Sequence, residues 1–163
     1  MTPAVIDQPG KLSAPEGETE AASWLLARIG RERYALPLAA VAEILEDPRL
    51  APVPGFPAEV LGVLASRERR LTVWDAAYHL GQAVSRPPGA VLVLEDDGTH
   101  VAVAVDEAAD VTLLGDESVQ ALPALDDPLQ LVIGVARDHS GLITVLDVTR
   151  LVRALAGGEE VAP

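Results

Sequence analysis

Apolar positions in this chain fall mostly into short runs separated by turn residues, and the runs recur. The run WLLARI from Trp24 and the run YALPL from Tyr34 flank Gly30-Arg31-Glu32-Arg33, which predicts a β-hairpin. Residues 90–94 and 100–105 flank Asp96-Asp97-Gly98 and predict a second. Residues 131–136, the polar stretch 137–141 and residues 142–146 predict a third, and 71–74 is a further short apolar run. Helical features are confined to three places. Pro57-Ala58-Glu59 suits the start of a helix, since Pro fits a first turn and Glu favours the positive end of the dipole. Asp75 and Asp147 each follow an apolar run, and each is an N-cap residue for the segment after it. The last segment places Val148, Leu151, Val152 and Leu155 on one helical face. Many short strands with Gly/Pro turns predict an all-β fold with a few short helices, built of small barrels.

The pattern is also duplicated. Val60 to Asp75 reads VLGVLASRERRLTVWD, and Val132 to Asp147 reads VIGVARDHSGLITVLD. With Gly62 set on Gly134, the spacing to the closing aspartate is the same, and VxGV and TVxD recur in register. Upstream, Trp24 on Val91 brings Tyr34 onto Val101, Glu43 onto Asp110 and Ile44 onto Val111. The offset is 67 in the first block and 72 in the second, so the second copy carries a net five-residue insertion between Val111 and Val132. Loops absorb such insertions and strands do not. Two copies of one structural unit follow.

Residues 1–21 are rich in Pro, Gly and Glu without periodicity and are expected to be a disordered tail, as are residues 157–163. The ordered body is expected over 22–156, with a first half near 22–82 and a second near 89–156, the two intertwined. Half of the residues are hydrophobic, enough for a core, but only five are aromatic. No apolar run is long enough for a membrane helix, and no basic-then-apolar leader opens the sequence, so a cytoplasmic protein is the simplest expectation. Without cysteine there are no disulfides, thiolate nucleophiles or thiolate metal sites. A net charge of −13 opposes nucleic acid and anionic membrane surfaces as partners.

Candidate chemistry is sparse. Two halves each contributing an aspartate is the logic of a carboxylate dyad that shares a proton. Such a dyad needs a small hydroxylated residue and a glycine after each aspartate. Here the contexts are Asp75-Ala76-Ala77 and Asp147-Val148-Thr149. The expected role of both is structural, as helix caps, with an aspartate-dependent hydrolase as the remote alternative. His79, His100 and His139 lack metal-ligand spacing, and neither a nucleophile elbow nor a phosphate loop is present, so no cofactor or metal is expected. Arg67-Glu68-Arg69-Arg70 is the one dense basic spot, readable as a solvated turn or as a contact turn for an acidic partner. Glu43, inside VAEIL, is either a surface position or a carboxylate for a partner's arginine. Pro52-Val53-Pro54-Gly55-Phe56-Pro57 is a stiff link, with Phe56 either in the core or on the rim of a groove.

Together these residues resemble a known family. YALPL from Tyr34, Val41-x-Glu43-Ile44, the Pro52–Pro57 link, Val60-Leu61-Gly62-Val63, Arg67 and Thr72-Val73-Trp74-Asp75 are similar, in order and spacing, to the CheW coupling-protein domain of bacterial chemotaxis. The second copy continues the likeness through VAVAVDE from Val101, Ile133-Gly134-Val135 and Gly141 to Asp147. The resemblance implies two small five-stranded SH3-like barrels related by pseudo-two-fold symmetry. It implies a non-enzymatic adaptor between the cytoplasmic tip of methyl-accepting chemoreceptors and the regulatory domain of a CheA-type histidine kinase. Other CheW-like domains are further implied partners, and recruitment to receptor arrays would come through these partners and without direct membrane binding. By position, Arg67 matches the family's functionally important arginine, and Val41, Glu43 and Gly62 match positions at or near its contact surfaces. Glu68, Arg69 and Phe56 complete the expected partner-binding set. Where the family usually has Asn-Leu-Arg-Gly, this chain has Ala65-Ser66-Arg67-Glu68, and Glu lacks the glycine's access to positive φ. A divergent paralogue for another scaffold partner, in pilus motility, surface sensing or polar localisation, is the alternative.

Overall fold

The computed structural model describes residues 22–66, 69–82, 84, 86–115, 118–121, 127 and 129–161. Ten strands and one helix follow in order: β1 (Ala22–Ile29), β2 (Glu32–Pro37), β3 (Val41–Glu46), β4 (Val60–Ser66), β5 (Arg69–Trp74), β6 (Ala90–Asp96), β7 (Thr99–Val105), β8 (Glu107–Leu114), β9 (Val132–Asp138), β10 (Gly141–Leu146) and α1 (Val148–Val161). Short 3-10 turns cover Leu38–Ala40 and Ala76–Leu80. The fold is all-β, as expected.

The sheets do not follow the boundary between the copies. One five-stranded sheet has the order β8-β1-β2-β10-β9, and the other β3-β6-β7-β5-β4. Each sheet therefore takes a hairpin from one copy and three strands from the other, and the offset that relates the copies maps one sheet order onto the other strand for strand. The halves 22–82 and 89–156, expected to intertwine, each contribute strands to both sheets. Among the described residues the sheets do not close into the expected barrels; each is an open ladder of five.

The symmetry reaches single hydrogen bonds. β4 and β5 pair through Val60↔Trp74 and Gly62↔Val73, skipping Leu61. β9 and β10 pair through Val132↔Leu146 and Gly134↔Val145, skipping Ile133. The connection into each hairpin adds one bridge, Ala51↔Val63 in one copy and Gln120↔Val135 in the other. The glycine that both VxGV motifs share lies beneath that bridge. A Cβ on Gly62 would stand 2.7 Å from the Ala51 carbonyl oxygen, and one on Gly134 would collide with the Gln120 carbonyl oxygen. Only glycine lets the two backbones approach this closely.

The main core lies between the sheets and joins Leu25, Leu36, Val73, Leu92, Val103 and Leu151, among others. A smaller cluster, Leu26, Ala35, Leu114, Ala136, Ile143 and Val145, covers the other face of the β1-containing sheet. Strands β6 and β7 are buried along nearly their whole length because α1 packs over them. That explains their unbroken apolar sequences, which strands covered on both faces need.

Four local expectations require correction. Strands β3, β4 and β8 were not foreseen as strands; they lie at sheet edges, where half-burial weakens the apolar signal. Pro57-Ala58-Glu59 forms a single turn, closed by Val60 N–H donating to the Pro57 carbonyl at 3.0 Å, and no helix follows. The segment after Asp75 is a 3-10 turn ending at Gly81 with φ 77°. Helix α1 continues through Gly157-Gly158 to Val161, where a tail from residue 157 was expected. Residues 1–21 lie outside the described residues.

Candidate partner-binding surface

Of the expected contact residues, Val41, Glu43, Gly62 and Arg69 fall on one sheet but not in one cluster. Val41 and Glu43 stand on β3, which ends the sheet β3-β6-β7-β5-β4. Glu43 is half-buried and sits opposite Val93. Gly62 and Arg69 belong to the β4–β5 hairpin at the other end of the same strand order. Arg69 is exposed opposite Ser66, and Arg70 beside it is exposed as well. Arg67 and Glu68, which follow β4 in the sequence and precede β5, lie outside the described residues. Phe56 is 44% exposed, so the link carries it on the surface and not in the core. Gly62 has a structural duty in any case: φ of 154° and contact with Ala51 both demand glycine.

The paired aspartates share a backbone role and differ in side-chain role. Asp75 N–H donates to the Glu59 carbonyl and Asp147 N–H to the Leu131 carbonyl, both at 2.7 Å. Asp147 then caps α1: its Oδ1 accepts from the Arg150 N–H at 3.1 Å, and its backbone carbonyl accepts from the Leu151 N–H. Asp75 occupies the corresponding position before a 3-10 turn and makes no capping side-chain hydrogen bond, which corrects the expectation for it. It is 3% exposed, and its Oδ1 has no hydrogen-bond partner among the described residues. Burial raises its pKa; the nearby N–H groups of Val84, Ala77 and Tyr78 and the Arg86 charge oppose that rise without reversing it. The carboxyl faces these N–H groups without meeting the geometry of a capping bond. Among the described residues, no group of three or more His, Asp or Glu could hold a metal ion.

Three features escaped sequence reasoning. Arg33 makes a bidentate pair with Asp138, at 2.9 and 2.6 Å, locking the β1–β2 turn to the β9–β10 turn. The guanidinium bonds hold the Asp138 carboxyl well below the usual carboxylate range. Acidic and apolar segments also converge. A cleft of about 530 Å³ is lined by Pro37, Ala40, Asp97, Ile133, Asp147 and Thr149 among others, where the end of β2, the β6–β7 turn and the start of α1 meet. Finally, two positions charged in the first copy are exposed and apolar in the second. Leu113, 65% exposed, takes the place of Glu46, and Leu142, 55% exposed, takes the place of Arg70. The repeat alignment held that last signal, once exposure was known.

Known proteins fit this geometry. The sequence profile of the CheW-like domain matches residues 23–156. A chemotaxis protein CheW from Treponema pallidum is 24% identical over 132 residues, covering 76% of this chain and 78% of that protein. The PilI protein of Pseudomonas aeruginosa is 30% identical over 122 residues, covering 73% of this chain and 68% of that one. Among solved structures, the scaffolding protein TtCheW from Thermoanaerobacter tengcongensis superposes with a TM-score of 0.70 at 18% identity, over 85% of this chain and 92% of that one. The profile spans both copies and nearly every described strand, so the chain belongs to the CheW-like domain family.

Proposed function

We propose that this protein is a non-enzymatic adaptor of a chemosensory array, joining chemoreceptor tips to a CheA-type histidine kinase in the cytoplasm. The observation that carries the proposal is the span of the family match. It runs from residue 23 to residue 156, through both copies, so the two-sheet body is the family's domain. Relatives named as chemotaxis proteins and a solved relative named as a scaffold support the same reading. Exposed edges on both sheets offer separate surfaces for separate partners, which an adaptor needs. Val41, Glu43, Phe56, Gly62, Arg67, Glu68 and Arg69 are the proposed contact residues, with Arg67 the principal one.

The PilI relative favours a second reading, in which the same domain serves a pilus-related pathway. One experiment addresses both. The full chain, bearing an affinity tag, is expressed in its own cells and its co-purifying proteins are identified, alongside the Arg67→Ala variant. The adaptor reading expects a chemoreceptor and a histidine kinase in the wild-type eluate and weakened capture of at least one by the variant, with the melting temperature unchanged. A pilus-pathway kinase in place of a flagellar one selects the second reading. Full capture of both partners by Arg67→Ala removes Arg67 from the contact set.

A further inference from the structure

Strand β8 ends its sheet, and among the described residues no strand pairs with its outer side. Edge strands are normally protected by charge, because an apolar edge recruits other chains. Its counterpart β3 follows that rule, with Glu46 two residues after the exposed Ile44. At the matching positions β8 carries Val111, 50% exposed, and Leu113, 65% exposed. The charge that protects the first copy's edge has been replaced by a leucine in the second.

The two faces of β8 differ in chemistry. Val111 and Leu113 pair with Leu25 and Ser23 of β1 and share a face. Asp110 pairs with Leu26, on the opposite face. A register shift between Leu26 and Ala27 brings Glu107, opposite Arg28, onto the same face as Asp110. Residues 106–117 read DEAADVTLLGDE, with five acidic residues and no basic one. Glu107 is engaged by Arg28 at 3.4 Å, and Asp110 Oδ1 accepts from the Val111 N–H at 2.8 Å.

We propose that the outer edge of β8 receives an extended segment of a partner chain in which apolar and basic side chains alternate. Strand addition supplies the main-chain hydrogen bonds and alternation supplies the selectivity. The segment's apolar side chains lie beside Val111 and Leu113, and its basic side chains lie beside Asp110 on the other face. A second copy of this chain is a poorer occupant: β8 carries Glu107 and Asp110 and no basic residue, so pairing it with itself brings acidic side chains to both strands of the pair. Like charges directly opposite each other destabilise a strand pair. The proposal does not depend on which signalling pathway the protein serves.

The test uses the full-length chain and two synthetic ten-residue peptides, one alternating Lys and Val, the other alternating Glu and Val. Binding is read by fluorescence anisotropy of the labelled peptide at constant salt. The Lys-Val peptide is expected to bind, the Glu-Val peptide to bind at least tenfold more weakly, and Leu113→Ser to weaken the Lys-Val peptide at least tenfold. Leu113→Ser leaves the net charge unchanged, so loss of binding reports the edge and not the overall acidity. Val111→Thr is the second variant, and Ile44→Ser on β3 is the control expected to change nothing. No binding of the Lys-Val peptide, or binding unaffected by both β8 variants, overturns the proposal. A wild-type dimer in sedimentation that Leu113→Ser makes monomeric overturns the assigned occupant.

Discussion

The first and second copies of the repeat build the same ladder and expose different chemistry. Their hairpins β4–β5 and β9–β10 share bulge, bridge and glycine at a constant offset. Several of their exposed side chains diverge. Glu46 and Arg70 in the first copy become Leu113 and Leu142 in the second, and a 3-10 turn of five residues becomes a helix of fourteen. A duplicated backbone is held in place by close-packing constraints that apply to both copies alike. Surface positions carry no such constraint, and they are where each copy could acquire its own partner.

Matched core positions should lose stability together. Leu25→Ala and Leu92→Ala remove paired residues, 3% and 0% exposed, from the shared core. Each is expected to cost about 3 kcal/mol in denaturant unfolding, within the usual range for buried leucines. A cost confined to one of the two breaks the equivalence of the copies. Next come the glycines: Gly62→Ala and Gly134→Ala each place a Cβ against a carbonyl oxygen. A loss of about 2 kcal/mol each is expected, as for other overpacked sites. Near-neutral melting temperatures would show that the bridges can move aside.

The aspartates sharpen the contrast. Asp147→Ala removes the α1 cap and should cost about 1 kcal/mol. Asp75 behaves differently, because burial raises its folded pKa above the ordinary value of 3.8. Its contribution is fully present below that value and is lost as pH rises through the folded pKa. Asp75→Asn should therefore become progressively more favourable, relative to wild type, between pH 3 and pH 7 in paired thermal melts. A pH-independent difference contradicts the buried-acid assignment. The smallest effect belongs to Arg33→Ala. The folded pKa of Asp138 is depressed, so the pair's contribution is present above the unfolded value and lost as pH falls through the folded one. The variant should be modestly less stable than wild type at pH 7, and the gap should close on acidification. The corresponding positions of the other copy, His100 and Ser66, hold no such pair to compensate.

Much of this architecture was legible in the sequence, for identifiable reasons. The hairpins at Trp24 and Ala90 announce themselves because each joins apolar runs across a Gly-containing turn. The repeat survives because Gly62 and Gly134 cannot be replaced without moving a neighbouring backbone. Strands β3 and β8 were missed because edge strands bury only alternate side chains, so Glu43, Glu46 and Asp110 dilute their apolar signal. Intertwined halves were expected, but which hairpin crosses to which sheet was not, because local pattern specifies a strand but not which strand lies beside it. Contact residues were the least legible. Gly62 carries a packing constraint that a sequence alone cannot separate from a role in binding, and the apolar exposure of Leu113 is visible only once β8 is known to end its sheet.

The adaptor assignment is tested most directly by reconstituting kinase control. A histidine kinase and a chemoreceptor fragment from the same cells are combined in vitro, and kinase autophosphorylation is followed with and without the full chain. The account predicts receptor-dependent stimulation only when the chain is present, diminished by Arg67→Ala. Receptor control of the kinase that is the same with and without the chain, together with no binding of the chain to either component, would contradict it.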